Sequence, residues 1–402
     1  MTTLPENPQP RRTESATATA DAPESRQAES RPNPPRGRAH QRGSASQSRL
    51  VWRAFRKHRL AMIGAAVTLL LYLVAAFAEF LAPFSVARFD QAHPYAPPQR
   101  LHVVDTSQGG WEFGLYVNGY VAGRDPDTLE RVYRVDTSKK VRVRLFDRGE
   151  EYRLWGLVPS RIHLVGPVDD REPMYLLGSD RSGRDLLSRL VYGTRVSMTI
   201  GLIGVTMAFV LGVVLGGISG YFGGRTDTLI QRAVEFFMSV PTLPLWLGLA
   251  AAVPSGWGPL RRYFAITVIL ATFAWTDLAR VTRGRFVSLR VEDFISSARL
   301  DGNRPARMIF RHMLPLFTSH LIASLTLSIP GMILAETALS FLGLGLQAPV
   351  VSWGVLLQAA QDVQVVATAP WLMLPGVAVV LAVLSLNFVG DGLRDAADPY
   401  RQ

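Results

Sequence analysis

The 402-residue chain has no cysteine, which excludes disulfides, thiolate chemistry and iron–sulfur ligation. Lysine is almost as scarce. Lys57, Lys139 and Lys140 are the whole supply, so arginine carries the formal net charge of +11. The phosphate cradle GxxxxGK[ST] needs a lysine, and none follows Lys140. The glycine-rich turn from Gly220 to Asp227 is therefore not a nucleotide site. His93, His102 and His163 stand alone, without metal-ligand spacing. Residues 1–48 almost lack large apolar side chains and cannot bury enough surface to offset their ordering entropy, so this segment reads as a disordered cytoplasmic tail. Arg11-Arg12 has no apolar core close behind it, and Glu6, Glu14, Asp21, Glu24 and Glu29 break any transit pattern, so no export address is read there.

What the chain does have is apolar sequence. Residues of that class make up 48%, clustered in runs of about twenty, the span of a bilayer core. Six spans follow: Leu60 to Ala82, Val196 to Tyr221, Leu229 to Val253, Tyr263 to Leu278, Leu316 to Phe341 and Trp371 to Val389. The expected fold class is an all-α polytopic membrane protein with six transmembrane helices. A small β-rich extracytoplasmic domain is expected between helices 1 and 2. Arg49 to Arg59 reads as an amphipathic elbow for the lipid interface, joined to the first span over 49–82. Residues 83–177 form the external domain. There, Val141 to Phe146 and Tyr152 to Trp155 alternate with period two, and a hairpin turn is expected near Gly149. Trp111, Phe113, Tyr116, Tyr120, Tyr133, Phe146 and Trp155 are expected in its core. Residues 178–395 form the membrane core and 396–402 a short tail. Asp180 or Ser182 is expected to cap the helix leading into the second span. Pro241 and Pro244 suggest a kinked third helix lining a path. Gly343 to Gln364 reads as an outer re-entrant or interfacial segment.

The most distinctive stretch is the polar island Arg280 to Pro315, with eight arginines against Glu292, Asp293 and Asp301. So basic a loop belongs on the cytoplasmic side, and with six spans both termini join it there. The basic residues flank apolar spans, where they act as topology determinants rather than as a nucleic-acid footprint. With Asn303 as N-cap, a helix would put Arg304, Arg307 and Arg311 on one face and Ala306, Ile309, Phe310 and Met313 on the other. Pro315 would then stop it. Two readings fit the island: a solvated loop that only fixes topology, or a docking surface for a soluble partner. Its length and amphipathicity favour the second. Within the fifth span, Glu336 is a carboxylate in an apolar run and a functional candidate by default. It would either attract a substrate amino group or sit in a structural hydrogen bond, and the structural reading is favoured. A candidate translocation path joins Glu336, Pro241 and Pro330.

Several segments resemble one family. SARLDG followed by IFRHMLP looks like the EAA signature of the integral-membrane subunits of binding-protein-dependent ABC importers, with Ser296 and Ser297 replacing the usual Glu and Ala. GSDRSGRDLLSRLVYGTR from Gly178 to Arg195, and ETALSFLGLGLQAPVVSWG from Glu336 to Gly354, resemble elements of its dipeptide/oligopeptide branch. PWLMLPG and LNFVGDGLRDAADP resemble that branch's last span and tail. The resemblance covers about Gly178 to Pro399 and points to a C-type subunit with the type I importer permease fold. It implies an ATPase-coupling set of Ser296, Ser297, Ala298, Arg299, Gly302, Arg304, Arg307, Ile309, Arg311, His312, Leu314 and Pro315. The implied partners are a paralogous B-type permease, two cytoplasmic ABC ATPases and an extracytoplasmic solute-binding protein delivering peptide. No catalytic residue, cofactor or metal is expected on this chain, with ATP and Mg held by the ATPases in the bacterial inner-membrane complex. The competing class is a secondary transporter coupling protons through Glu336 and Asp277. A membrane-anchored receptor would leave six spans unexplained.

Overall fold

The computed structural model describes residues 47–397 other than 106–111, 125, 127–130, 170 and 255. The expected disordered tail (except residues 47–48), Trp111 and the last five residues of the expected C-terminal tail lie outside the described residues. Helix α1 (Gln47–Lys57) leads directly into α2 (Arg59–Ala76). His58 caps α2, its Nδ1 accepting the Ala61 N–H at 3.1 Å. The 18 residues of α2 carry no charge after Arg59, which makes it the first candidate span. A single turn, α3 (Ala78–Leu81), follows. Ala82 is then extended, because the ring of Pro83 disfavours helix at the preceding residue.

Helix α4 (Leu186–Phe222) is 37 residues long, roughly 55 Å at 1.5 Å per residue and well beyond a hydrocarbon core of about 30 Å. Gly223, at φ +69°, ends it. Small residues recur at every fourth position of α4: Gly204, Ala208, Gly212, Gly216 and Gly220. Gly204 faces Met332 further along the chain, and from Ala208 on the stripe lets α7 (Pro259–Leu289) approach closely. A Cβ on Gly212 would lie 2.9 Å from the Trp275 carbonyl, and one on Gly220 2.7 Å from that of Arg283. Without a hydrophobic drive between helices in lipid, such close packing is what holds two spans together.

The expected third span is broken. α5 (Gly224–Ser239) and α6 (Thr242–Ala251) meet at 85°, since Val240 is extended ahead of Pro241, which has no N–H to continue the ladder. Among the described residues, five helices are long and apolar enough to cross a bilayer, or six if this bent pair counts as one. The fourth expected span is the middle of α7, which runs on to Leu289, so Arg280, Arg283 and Arg285 stand on a helix rather than in a loop. Helix α8 (Asp293–Leu300) follows, then α9, continuous from Pro305 to Phe341. The segment after it folds as α10 (Trp353–Leu357), a 3-10 turn and α11 (Val363–Thr368). Finally, α12 (Leu374–Ala397) packs against α2 and α9.

Between α3 and α4 lies a four-stranded antiparallel meander: β1 (Leu101–Asp105), β2 (Glu112–Arg124), β3 (Arg131–Leu154) and β4 (Val158–Pro167). The hairpin turn is not at Gly149. β3 runs unbroken through Asp147–Glu150, with a register shift between Arg148 and Tyr152. The chain reverses instead at Trp155–Leu157, where Trp155 and Gly156 both have positive φ. Gly149 fits inside the strand because a Cβ there would press within 3.0 Å of the His163 ring. The sheet core is mainly aliphatic, built from Val117, Val141, Val143 and Met174 around Phe84. Phe113, Phe146 and Trp155, expected inside, are 82%, 62% and 57% exposed.

Two ends of the bundle can be told apart. The sheet hangs on one, where the Phe84 N–H bonds Ser188 Oγ at 3.1 Å and His163 Nδ1 meets the Ala82 carbonyl at 2.6 Å. At the other end of α4, Tyr221 packs against α8 and the start of α9. The start of α2 and the end of α12 meet there too, with Phe55, Ala61 and Ala396 buried together.

Candidate functional site

At the end away from the sheet, α7, α8 and α9 form an elbow. Gly302, at φ +75°, turns the chain between α8 and α9. A Cβ at Gly302 would meet nothing within 4 Å, so the requirement is on the backbone, where a left-handed conformation disfavours any side chain. Arg304, not Asn303, occupies the N-cap position of α9, with Pro305 at the first turn. Asn303 instead donates its side-chain amide to the Ala298 carbonyl at 2.8 Å, tying off the end of α8.

The start of α9 does not wind as a regular α-helix. Met308–Met313 is a π-turn and Leu314–Phe317 a 3-10 turn, after which α-helix resumes from Thr318 to Phe341. Pro315 therefore does not stop the helix. The preceding turn is wide, with the Leu314 N–H reaching back to the Ile309 carbonyl, and the proline is absorbed where winding changes. The wider turn also re-phases the side chains. Met308, Ile309, Met313 and Phe317 are buried with Ile295, Tyr221 and Phe286, whereas Phe310, expected to face inward, is 53% exposed and Ala306 is exposed too.

The outer face is mixed apolar and basic. Ser296, Ser297, Arg299, Arg304, Arg307, Arg311 and Pro315 are exposed, and Ala298, His312 and Leu314 are half-buried. Among them stand Phe294, 47% exposed, and Leu300, 89% exposed. Arg299 lies over the Tyr221 ring at 5.5 Å, whereas Arg304, Arg307 and Arg311 form no ion pair among the described residues. Just inside the elbow, Arg283 grips Asp227 with two bonds of 2.6 Å, and Ser219 donates to the same carboxylate at 2.5 Å. These contacts lock α4, α5 and α7 to one another.

Glu336 is fully buried. One carboxylate oxygen accepts from Ser340 Oγ at 2.8 Å and Ser352 Oγ at 2.7 Å, and the other from Ser197 Oγ at 3.3 Å. The serines in turn accept backbone N–H groups: Trp353 at 3.1 Å on Ser197, Leu346 at 3.0 Å on Ser340 and Val355 at 3.2 Å on Ser352. One carboxylate thus joins α4, α9 and the segment around α10.

The family described as binding-protein-dependent transport system inner membrane component matches residues 212–401. The N-terminal TM domain of oligopeptide transport permease C matches residues 46–98. The oligopeptide transport system permease protein OppC of Haemophilus influenzae is 38% identical over 59% of this chain and 74% of its own length. The chain belongs to this permease family. The dipeptide transport system permease protein DppC of Bacillus subtilis is 28% identical over 89% of this chain and 87% of its own length. Among solved structures, the inward-facing MetNI methionine ABC transporter matches with a TM-score of 0.41 and 19% identity, over 52% of this chain and 95% of that one. As a family member the permease is a non-catalytic membrane subunit of an ABC importer, and ATP hydrolysis resides on separate subunits.

The permease carries a cavity of about 500 Å³ between α4, α5, α6, α7 and α9, lined among others by Phe237, Trp246, Phe273, Asp277 and Ser328. The three candidate path residues are not brought together around it. Pro241 is exposed at the α5–α6 break, flanked by the lining residues Met238 and Thr242; Pro330 is buried inside α9 beside the lining residue Gly331; Glu336 adjoins the lining residue Ala335.

At the sheet end, two of the four arginines of the Gly178–Arg195 segment, Arg189 and Arg195, are held in ion pairs. Asp180 does not cap α4. It accepts the Ser182 and Arg184 N–H groups at 2.8 and 3.0 Å and pairs with Arg189. The cap is Asp185, which accepts the Ser188 N–H at 2.7 Å; burial pushes its carboxyl up to about 6, against the downward pull of the Ser188 bonds. Arg195 grips Glu79 with two bonds of 2.5 Å and donates to the Ala75 and Ala76 carbonyls at 2.7 and 3.2 Å. Burial alone would raise the Glu79 carboxyl, but the Arg195 fork overrides it and holds it below the usual range. Sequence reasoning missed Ser197, Ser340 and Ser352, although Ser340 lies four residues beyond Glu336 on the same helical face. It also missed the Asp227–Arg283 and Glu79–Arg195 locks, which need a tertiary structure to see.

Proposed function

We propose that this permease forms, with a paralogous B-type permease, the pore of an ATP-driven importer for peptides delivered by an extracytoplasmic solute-binding protein. The peptide assignment rests on the names of the relatives. The orientation rests on charge. The elbow, the start of α2 and the end of α12 share one end, and the short basic segments of the elbow and of α1 place that end in the cytoplasm of a bacterial inner membrane. The sheet then faces outward. Of the four arginines between Gly178 and Arg195, Arg189 and Arg195 are neutralised within the protein, which halves the charge that opposes this orientation.

The observation that carries the proposal is the elbow's division into two faces. Its inner face is packed into the bundle, and its outer face presents Phe294, Leu300 and Phe310 among arginines free of ion pairs with the described residues. Exposed apolar side chains on a rigid basic surface suit a groove on a soluble partner. In the proposed mechanism, each ABC ATPase holds one permease elbow. Closure of the ATPases on Mg-ATP pulls the elbow, and the wall of α7 and α9 follows between inward- and outward-facing states. Glu336 acts as a structural hub in this reading, since three serine hydroxyls satisfy it.

Uptake of labelled peptides in a strain deleted for this permease tests the proposal. Wild-type protein should restore ATPase-dependent uptake, whereas Gly302→Trp should be inserted at normal level without transport. The left-handed strain of about 1–2 kcal/mol is shared by Gly302→Ala, so only the tryptophan also places bulk on the docking face. Uptake without the ATPase overturns the importer reading; normal uptake by Gly302→Trp overturns the coupling role.

A further inference from the structure

The hairpin between β3 and β4 ends in Trp155, Gly156 and Leu157, and this tip does not point into open solvent above the sheet. Trp155 Nε1 donates to the Ala76 carbonyl at 2.7 Å, the last residue of α2. Its ring packs on Phe77 with centroids 6.0 Å apart, and Phe146 packs on Phe80 at 6.2 Å. The tip therefore lies level with the point where the first span ends.

The contact continues an existing surface. Ile63, Leu70, Leu73 and Phe77 follow helical spacing on one side of the first span and are 59%, 59%, 46% and 39% exposed. On a helix that crosses a bilayer, such a stripe faces lipid. Trp155, 57% exposed, and Leu157, 79% exposed, extend it past the helix end. The backbone is shaped for this arrangement. Trp155 and Phe146 have φ of +53° and +56°, a region bulky residues rarely enter and one that marks functional constraint when they do. Arg148 and Arg153 are exposed on the same strand, while Glu150 and Glu151 between them are paired with Arg88 and Arg161, and basic side chains on the strand that ends in an aromatic tip suit anionic headgroups.

We infer that the β3–β4 tip is a membrane-interface anchor: its indole and leucine insert among the outer-leaflet headgroups and acyl ends, and it holds the sheet flat against the bilayer. The occupant is lipid. The inference rests on the reading of Arg59–Ala76 as a transmembrane span.

Because the chain has no cysteine, single cysteines can carry unique spin labels on it. Leu157→Cys, Leu70→Cys and Val135→Cys are compared in the full-length permease reconstituted into phosphatidylglycerol/phosphatidylcholine vesicles, by relaxation with oxygen and with a water-soluble nickel chelate. Leu70 serves as the lipid reference and Val135, 61% exposed at the far end of β3, as the aqueous one. Leu157 should favour oxygen over nickel several-fold more than Val135 does. Nickel access equal to that of Val135, with Leu70 still protected, overturns the anchor alone. Protection from both reagents with an immobilised spectrum means protein covers the tip and also overturns it. Nickel access at Leu70 overturns the span and the anchor together.

Discussion

Two arginine-rich segments of this permease differ in what their charges face. Between Gly178 and Arg195, Arg189 and Arg195 are turned inward onto Asp180 and Glu79, and the loop is closed by its own hydrogen bonds. In the elbow, Arg304, Arg307 and Arg311 stand outward without an acidic partner among the described residues, beside exposed Phe310 and Leu300. Similar composition thus serves opposite ends. A charge paired inside the fold cannot lose its partner without a large cost, whereas one left outside contributes little to stability and is available to another molecule.

Charge reversal should separate the two segments most clearly. Arg304→Glu with Arg307→Glu should lower peptide uptake about tenfold or more, because like charges at a docking surface cost several kcal/mol. The same variant should unfold within about 0.5 kcal/mol of wild type, as expected of exposed positions. Uptake assays and thermal unfolding in detergent read the two effects. At the other end the order inverts. Arg195→Ala leaves Glu79 largely buried beside an empty fork and should cost about 2–3 kcal/mol of stability, read as a lower unfolding midpoint. The smallest effect is on pH dependence. Glu79 is held low, so its contribution is present above the usual carboxylate range and fades as pH falls. Asp185 is raised to about 6, so its contribution is complete below about pH 4 and lost as pH rises through about 6. Asp185→Asn keeps an acceptor for the Ser188 cap and should remove that decline, seen as a flatter profile of unfolding midpoint between pH 4 and 6.

Much of this architecture was legible in the sequence because lipid imposes a simple rule: an uncharged run of sufficient length must be a helix. That rule located α2, α4, α7, α9 and α12. It failed where local geometry competes with pattern. Pro315 and the Arg304–Arg311 spacing read as a terminated α-helix, but a π-turn absorbs the proline and turns Phe310 outward. The Asp147–Glu150 cluster reads as a turn, yet pairing with β4 keeps it in strand and leaves the reversal to Trp155 and Gly156. The elbow's Gly302 was legible because its left-handed turn favours glycine. The serine cage of Glu336 was not, since Ser197 and Ser352 lie 139 and 16 residues away along the chain. The fourfold Gly/Ala stripe on α4 was in plain view and follows from packing between spans.

Whether the elbow's outer face meets an ATPase can be read by crosslinking. Leu300→Cys, unique on a chain without cysteine, can be joined through a short bifunctional reagent to neighbouring subunits in the assembled importer, with and without nucleotide. The expected result is a crosslink to the ATPase whose yield changes with ATP. No crosslink to that subunit, or labelling of the residue by an impermeant reagent from outside intact cells, would contradict it.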